Sequence, residues 1–123
     1  MSITRNSSLI FKRVPKGLPV PGGDITIEDR PFDVSEAPTD GFVTKNLYAS
    51  LDPYMRLMLV PPGTKHYRAP FTLNEPLASG SIAEITHSKR EDYPAGSIIR
   101  ARLPIQEYSS VTPEWLAAQR TMP

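Results

Sequence analysis

The sequence predicts a mainly β fold, a small barrel or sandwich of six or so short strands with one or two short helices. Four observations predict it. With 123 residues and 39% hydrophobic content the chain suits one domain with one core. Its 14 prolines are about twice the ordinary share of roughly 5%, and they are spread so evenly that no long helix fits between them. Ten aromatic residues and several β-branched clusters lie among those prolines, which marks a folded chain and not a disordered one. Finally, Asp24 to Asp29 sets Ile25 and Ile27 against Thr26 and Glu28, the period-two alternation of a half-buried strand.

The elements follow in order. Ser8 to Val14 reads as a first strand, closed by the turn-rich Lys16 to Gly23, and Asp24 to Asp29 as a second. Pro31 to Gly41 is a solvated connection. Phe42 to Leu51 is the longest strand candidate, with Val43, Leu47, Ala49 and Leu51 on one face and Thr44, Asn46 and Ser50 on the other. Asp52 then offers an N-cap, Pro53 a first helical residue, and the run to Met58 a helix of two turns or fewer, ended by Pro61, Pro62 and Gly63. Thr64 to Pro76 reads as a long loop. Within Leu77 to His87 strand character resumes after Gly80, then in Ser97 to Leu103 and Ile105 to Val111, split by Pro104. Thr112 to Leu116 reads as a single capped turn, so the domain is expected over residues 1–116 with a tail over 117–123.

Charge and composition exclude several classes of function. Fourteen basic against 13 acidic residues gives a net charge of +1, without the clustered excess of cations that phosphate backbones require, so no nucleic-acid partner is expected. There is no cysteine for a disulfide, a thiolate nucleophile or a thiolate zinc site. His66 and His87 have no ligand at metal spacing, so no metal site is expected. No apolar run approaches a membrane span or a signal-peptide core, and the expectation is a soluble cytoplasmic protein. Residues 1–16 hold four bases and no acid, whereas Asp24 to Asp40 hold six acids and one base, so the first strand is expected beside an acidic surface.

The segment that could carry chemistry is LYASLDPYMR, Leu47 to Arg56. A strand running straight into a helix N-terminus presents backbone N–H groups and a weak positive field, and Tyr54 and Arg56 add a phenol and a permanent cation. Such a corner could orient a carbonyl oxygen. The same residues also fit a structural role, with Asp52 capping, Tyr54 packing and Arg56 paired to a carboxylate.

Four runs, KRVPKGLPVPGGDITIEDRPFDVSEAP, KNLYASLDPYMR, FTLNEPLASGSIAEI and PAGSIIRARLPIQEYSSV, resemble the N-terminal catalytic domain of the zinc-free medium-chain dehydrogenase/reductases. The nearest branch is the NADPH-dependent alkenal/one double-bond reductases. The resemblance runs from Lys12 to about Leu116. It implies a GroES-like, partly open β-barrel, NADP as cofactor, no metal, and a small hydrophobic carbonyl as substrate. Carried over residue by residue, it implies a substrate-pocket role for Tyr54, with Arg56 at the motif's arginine and Tyr67 as a further pocket aromatic. Gln106, Glu107 and Tyr108 match a segment that runs along the nicotinamide side of the cleft. Gln106 and Tyr108 are then the candidate cofactor contacts, and Tyr54 and Glu107 are the candidate catalytic residues, as acid and base if the chain acts without a cofactor.

Two departures lie near the expected cofactor cleft: Leu77 to Ser81 carries only Gly80 where relatives are glycine-rich, and ARLPI precedes QEY. No G-x-G-x-x-G can be drawn, so no Rossmann domain is expected within these residues, nor tight NADPH binding by this chain alone. Two functions are therefore expected in competition. One is the substrate-side domain of a reductase acting on the C=C bond of α,β-unsaturated aldehydes and ketones. The other is a redox-inactive domain reused for binding, or for cofactor-free isomerisation or cyclisation, of a polyketide-like carbonyl compound. In either case a face left without its second domain should be apolar, and a homodimer or another partner is expected over it.

Overall fold

A computed structural model of the chain describes residues 3–61 and 70–120, without the side chains of Tyr54 and residues 118–120. Eight strands and two short helices run in the order β1 (Ile3–Thr4), β2 (Ser7–Phe11), β3 (Ile25–Asp29), β4 (Phe32–Asp33), β5 (Phe42–Ala49), α1 (Tyr54–Leu57), β6 (Ala78–Ser88), β7 (Ile98–Pro104), β8 (Tyr108–Val111) and α2 (Pro113–Arg120). All pairings are antiparallel. They form two ribbons, β1-β4 and β2-β3, and a four-stranded sheet in the order β7-β6-β5-β8. Bridges from Ser8 to Gln106 and from Ile10 to Pro76 join the β2-β3 ribbon to the sheet, giving a partly open barrel.

Strand β6 shows why this sequence makes a two-faced sheet. Ser79, Ser81, Ala83 and Ile85 are buried while Gly80 and Ile82 face out, so alternation delivers one face to the core. That face packs with Phe42, Leu103 and Val111 beneath Leu116 of α2. A second cluster joins Phe11, Met55, Met58, Leu59, Phe71 and Leu77 under the β2-β3 ribbon and α1. Gly41 fixes the entry to β5: a Cβ there would collide with the Val111 carbonyl oxygen, so the backbones of the two strands can meet only at a glycine. The ends of the basic first strand and the acidic second one are tied by ion pairs, Arg13 to Asp24 at 2.7 Å and Lys12 to Glu28 at 3.0 Å, as the charge pattern predicts.

Four expectations need correction. Ile27 is 76% exposed, because its side of β3 looks onto an open groove and not onto the core. On β5 only the first three residues are buried, and Leu47 and Ala49 lie exposed with Leu51 beyond the strand; a register shift between Asn46 and Tyr48 breaks the simple alternation. Thr112 opens an eight-residue helix and not a single turn, with its hydroxyl accepting from the Trp115 N–H at 3.2 Å. Pro104 ends β7, and the next strand begins only at Tyr108.

Candidate functional site

The strand-to-helix corner is tighter than its sequence suggests. Pro53, not Asp52, is the N-cap, and α1 is a single turn with no side-chain cap. The Met55 and Arg56 N–H groups already bond to the carbonyls of Asp52 and Pro53, so the expected free donors at this point are engaged. Asp52 instead accepts the Ser50 hydroxyl at 2.7 Å. The buried Met55 anchors the turn in the core beneath it. Tyr54 is the first residue of α1, and the position of its phenol lies outside the described residues, as does all of Tyr67. Arg56 is exposed and donates to the Gly17 carbonyl at 3.0 Å, tying the corner to the Lys16 to Gly23 turn and not to a carboxylate.

Gln106 and Glu107 are brought together. They line a groove of about 370 Å³ with Ser7, Ser8, Leu9, Ile27, Asn46, Leu47, Tyr48 and Ile105. The groove lies where the β2-β3 ribbon meets β5. Several of its polar groups are engaged by the chain itself, while Asn46 Oδ1 is buried without a partner among the described residues. The Glu107 carboxylate accepts from the Ser7 N–H at 2.8 Å, Gln106 donates to Ser109 Oγ at 3.0 Å, and Asn46 Nδ2 donates to the Pro104 carbonyl at 3.0 Å. Tyr108 stands apart: its ring stacks on Phe32 at 6.3 Å, and Asn6 brackets its backbone with bonds to both N–H and C=O.

What remains in the groove for a ligand is apolar. Leu9, Ile27, Leu47, Tyr48 and Ile105 present an apolar surface, and the lining holds no cation for a phosphate. Sequence reasoning missed Asn46 and Ile27 as lining residues and held Leu47 and Tyr48 only as the start of the Leu47 to Arg56 segment. The signal for these two was an apolar run that continues along β5 past the point where the core ends. Among the described residues no three His, Asp or Glu side chains gather as metal ligands, and no helix is long and apolar enough to cross a membrane.

Comparison with known proteins gives the class to which this open antiparallel barrel belongs. Residues 7–118 match the family described as the N-terminal domain of oxidoreductase. The chain belongs to that family. It is 38% identical over 106 residues to the NADP-dependent oxidoreductase RED1 of Cochliobolus heterostrophus, a match covering 85% of this chain and 30% of that protein. It is 37% identical over 114 residues to the dehydrogenase FUB6 of Gibberella fujikuroi, covering 93% of this chain and 34% of that one. The fold matches CurA from Vibrio vulnificus with a TM-score of 0.74 at 22% identity, over 85% of this chain and 29% of CurA; a second CurA structure contains NADPH. The chain thus spans about a third of the length of the curated relatives it matches.

Proposed function

We propose that this chain is the substrate-side domain of an NADPH-dependent reductase acting on the C=C bond of α,β-unsaturated aldehydes and ketones. The observation that carries the reading is the apolar groove along β5, the strand that leads into DPYMR, in a chain of the oxidoreductase N-terminal family. NADPH, where bound by the remainder of such a reductase, supplies a hydride to the β-carbon. The residues here hold the enal flat against Leu47, Ile27 and Ile105. Addition at the β-carbon pushes the electron pair onto the carbonyl oxygen as an enolate, and the Tyr54 phenol is the group placed by sequence to hydrogen-bond that oxygen and pass it a proton. Glu107, already bonded to Ser7, steadies the groove wall as a positioning residue. The exposed Ile27, Leu47 and Leu51 form the apolar face that the second domain, or a second copy of this chain, covers.

The test replaces the matching N-terminal region of RED1 with residues 7–118 and follows NADPH loss with a panel of 2-alkenals, identifying the products by mass spectrometry. Saturated aldehydes are expected, and Tyr54→Phe should lower kcat by about 10²-fold or more, the scale of a lost general acid. Allylic alcohols as the only products would show carbonyl reduction and end the C=C reading. An unchanged rate in Tyr54→Phe would remove that residue from the chemistry.

A further inference from the structure

The outer face of the four-stranded sheet carries a second depression that the groove above does not use. Its shape follows from the register. Tyr48, Ile82 and Arg100 are Cα partners in one row across β5, β6 and β7, and in the next row Ser50 donates its N–H to Gly80, which pairs with Arg102. Tyr48 and Ile82 are 74% and 39% exposed, so an aromatic ring and an aliphatic side chain stand open where alternation directs them outward. Gly80 has no side chain to fill the floor between Ser50 and Arg102. The result is a cavity of about 580 Å³, larger than the groove beside Gln106, with two guanidinium-bearing residues along its β7 side.

The cations are not equivalent. Arg102 lies with its guanidinium carbon 5.9 Å above the Phe71 ring. Arg100 is exposed on the edge strand and forms no ion pair among the described residues, although Glu84 is one step away on the same face. A guanidinium presents parallel donors matched to a carboxylate, and Tyr48 and Ile82 supply a surface for a flat apolar body.

We infer that this cavity binds a planar, apolar carboxylate, its ring system lying on Tyr48 and Ile82 and its carboxylate held by Arg100. The inference stands whether or not the chain is a C=C reductase, because Ile82, Arg100 and Arg102 take no part in the proposed chemistry; Tyr48 and Ala49 border both the cavity and the groove. A cation on an edge strand also discourages strand pairing with other chains. That role predicts no ligand, and the experiment separates the two.

The full chain is titrated with 2-naphthoate, and with the neutral 2-naphthamide, while backbone amide shifts are followed by NMR. The naphthoate should shift the amides of Tyr48, Ile82 and Arg100 and bind about tenfold more tightly than the amide. Arg100→Gln should remove that tenfold preference, Arg100→Lys should restore part of it, and Tyr48→Ala should weaken both ligands alike. Equal affinity for the two probes, an Arg100→Gln variant that binds like the parent, or shifts confined to Leu9, Ile27 and Leu47 would overturn the assignment. Arg100 is exposed at a sheet edge, so its variants should fold, and an unchanged amide spectrum elsewhere verifies this.

Discussion

The two hydrophobic clusters of this domain are built differently. The sheet cluster takes one or two residues from each of β5, β6, β7, β8 and α2, namely Phe42, Ala83, Ile85, Leu103, Val111 and Leu116, with Phe42 tilted against Tyr93 at 5.0 Å. The corner cluster takes Phe11 from a strand, while Met55, Met58, Leu59, Phe71 and Leu77 come from a single helical turn and the connections around it. The first is fixed by ladders of backbone hydrogen bonds, and the second is filled by flexible methionines packed beneath a ribbon. The corner cluster lies under the candidate site. The difference teaches that the sheet supplies the rigid frame and the corner the adaptable part, as expected where a groove must accept a ligand.

The sharpest way to break this comparison is Phe42→Ala. Removing a fully buried ring from the sheet cluster should cost about 3–5 kcal/mol, read as a lower urea midpoint for the whole domain. A loss below about 1 kcal/mol would show that the sheet is not the frame. In the corner, Met58→Leu conserves volume and should cost less than about 1.5 kcal/mol, since a methionine-filled cluster repacks easily. A larger loss there would make the corner as rigid as the sheet. Thr44 is completely buried with its hydroxyl unpartnered among the described residues, so Thr44→Val should raise stability by about 1 kcal/mol. A destabilised variant would mean that the hydroxyl has a partner.

The smallest effect is the response to acid. The hydrogen bond from Arg13, and then that from the Val20 N–H, hold the Asp24 carboxyl below its ordinary 3.8; Lys12 and Thr26 do the same for Glu28 below 4.5. Both groups bind protons less readily folded than unfolded. Their stabilisation is therefore complete above the ordinary carboxylate range and is lost as pH falls through the depressed values. Both sit on or beside the β2-β3 ribbon over the corner cluster, so amide exchange at Leu9 and Ile25 should accelerate in acid before exchange in β5 and β6. Asp24→Asn should weaken that acid response. Simultaneous acceleration in both regions would erase the distinction between them.

Much of the frame is legible in the sequence because it rests on local rules. The strand character of the residues after Gly80, the turn chemistry of Lys16 to Gly23 and the opposed charges at Arg13 and Asp24 are all short-range signals, and each appears in the structure. The family is legible as well, since DPYMR and QEY, which carry the resemblance, lie within the matched residues 7–118. The open face is not. Leu47 and Ile27 read as core from periodicity, because periodicity reports which residues share a face and not whether anything covers it.

The helix cap was equally out of reach. Asp52 is a competent cap by type, and only the path of the chain directs the Ser50 hydroxyl to it and leaves Pro53 at the cap position. By itself the sequence determined a proline-punctuated antiparallel β domain of an oxidoreductase family, because strand alternation, turn residues and motif spacing act over a few residues. Only the tertiary structure decided that Tyr48, Ile82 and Arg100 share one exposed row, and that Gln106 and Glu107 join Leu47 in one groove. Those neighbours are far apart along the chain, and strand register, a long-range quantity, brings them together.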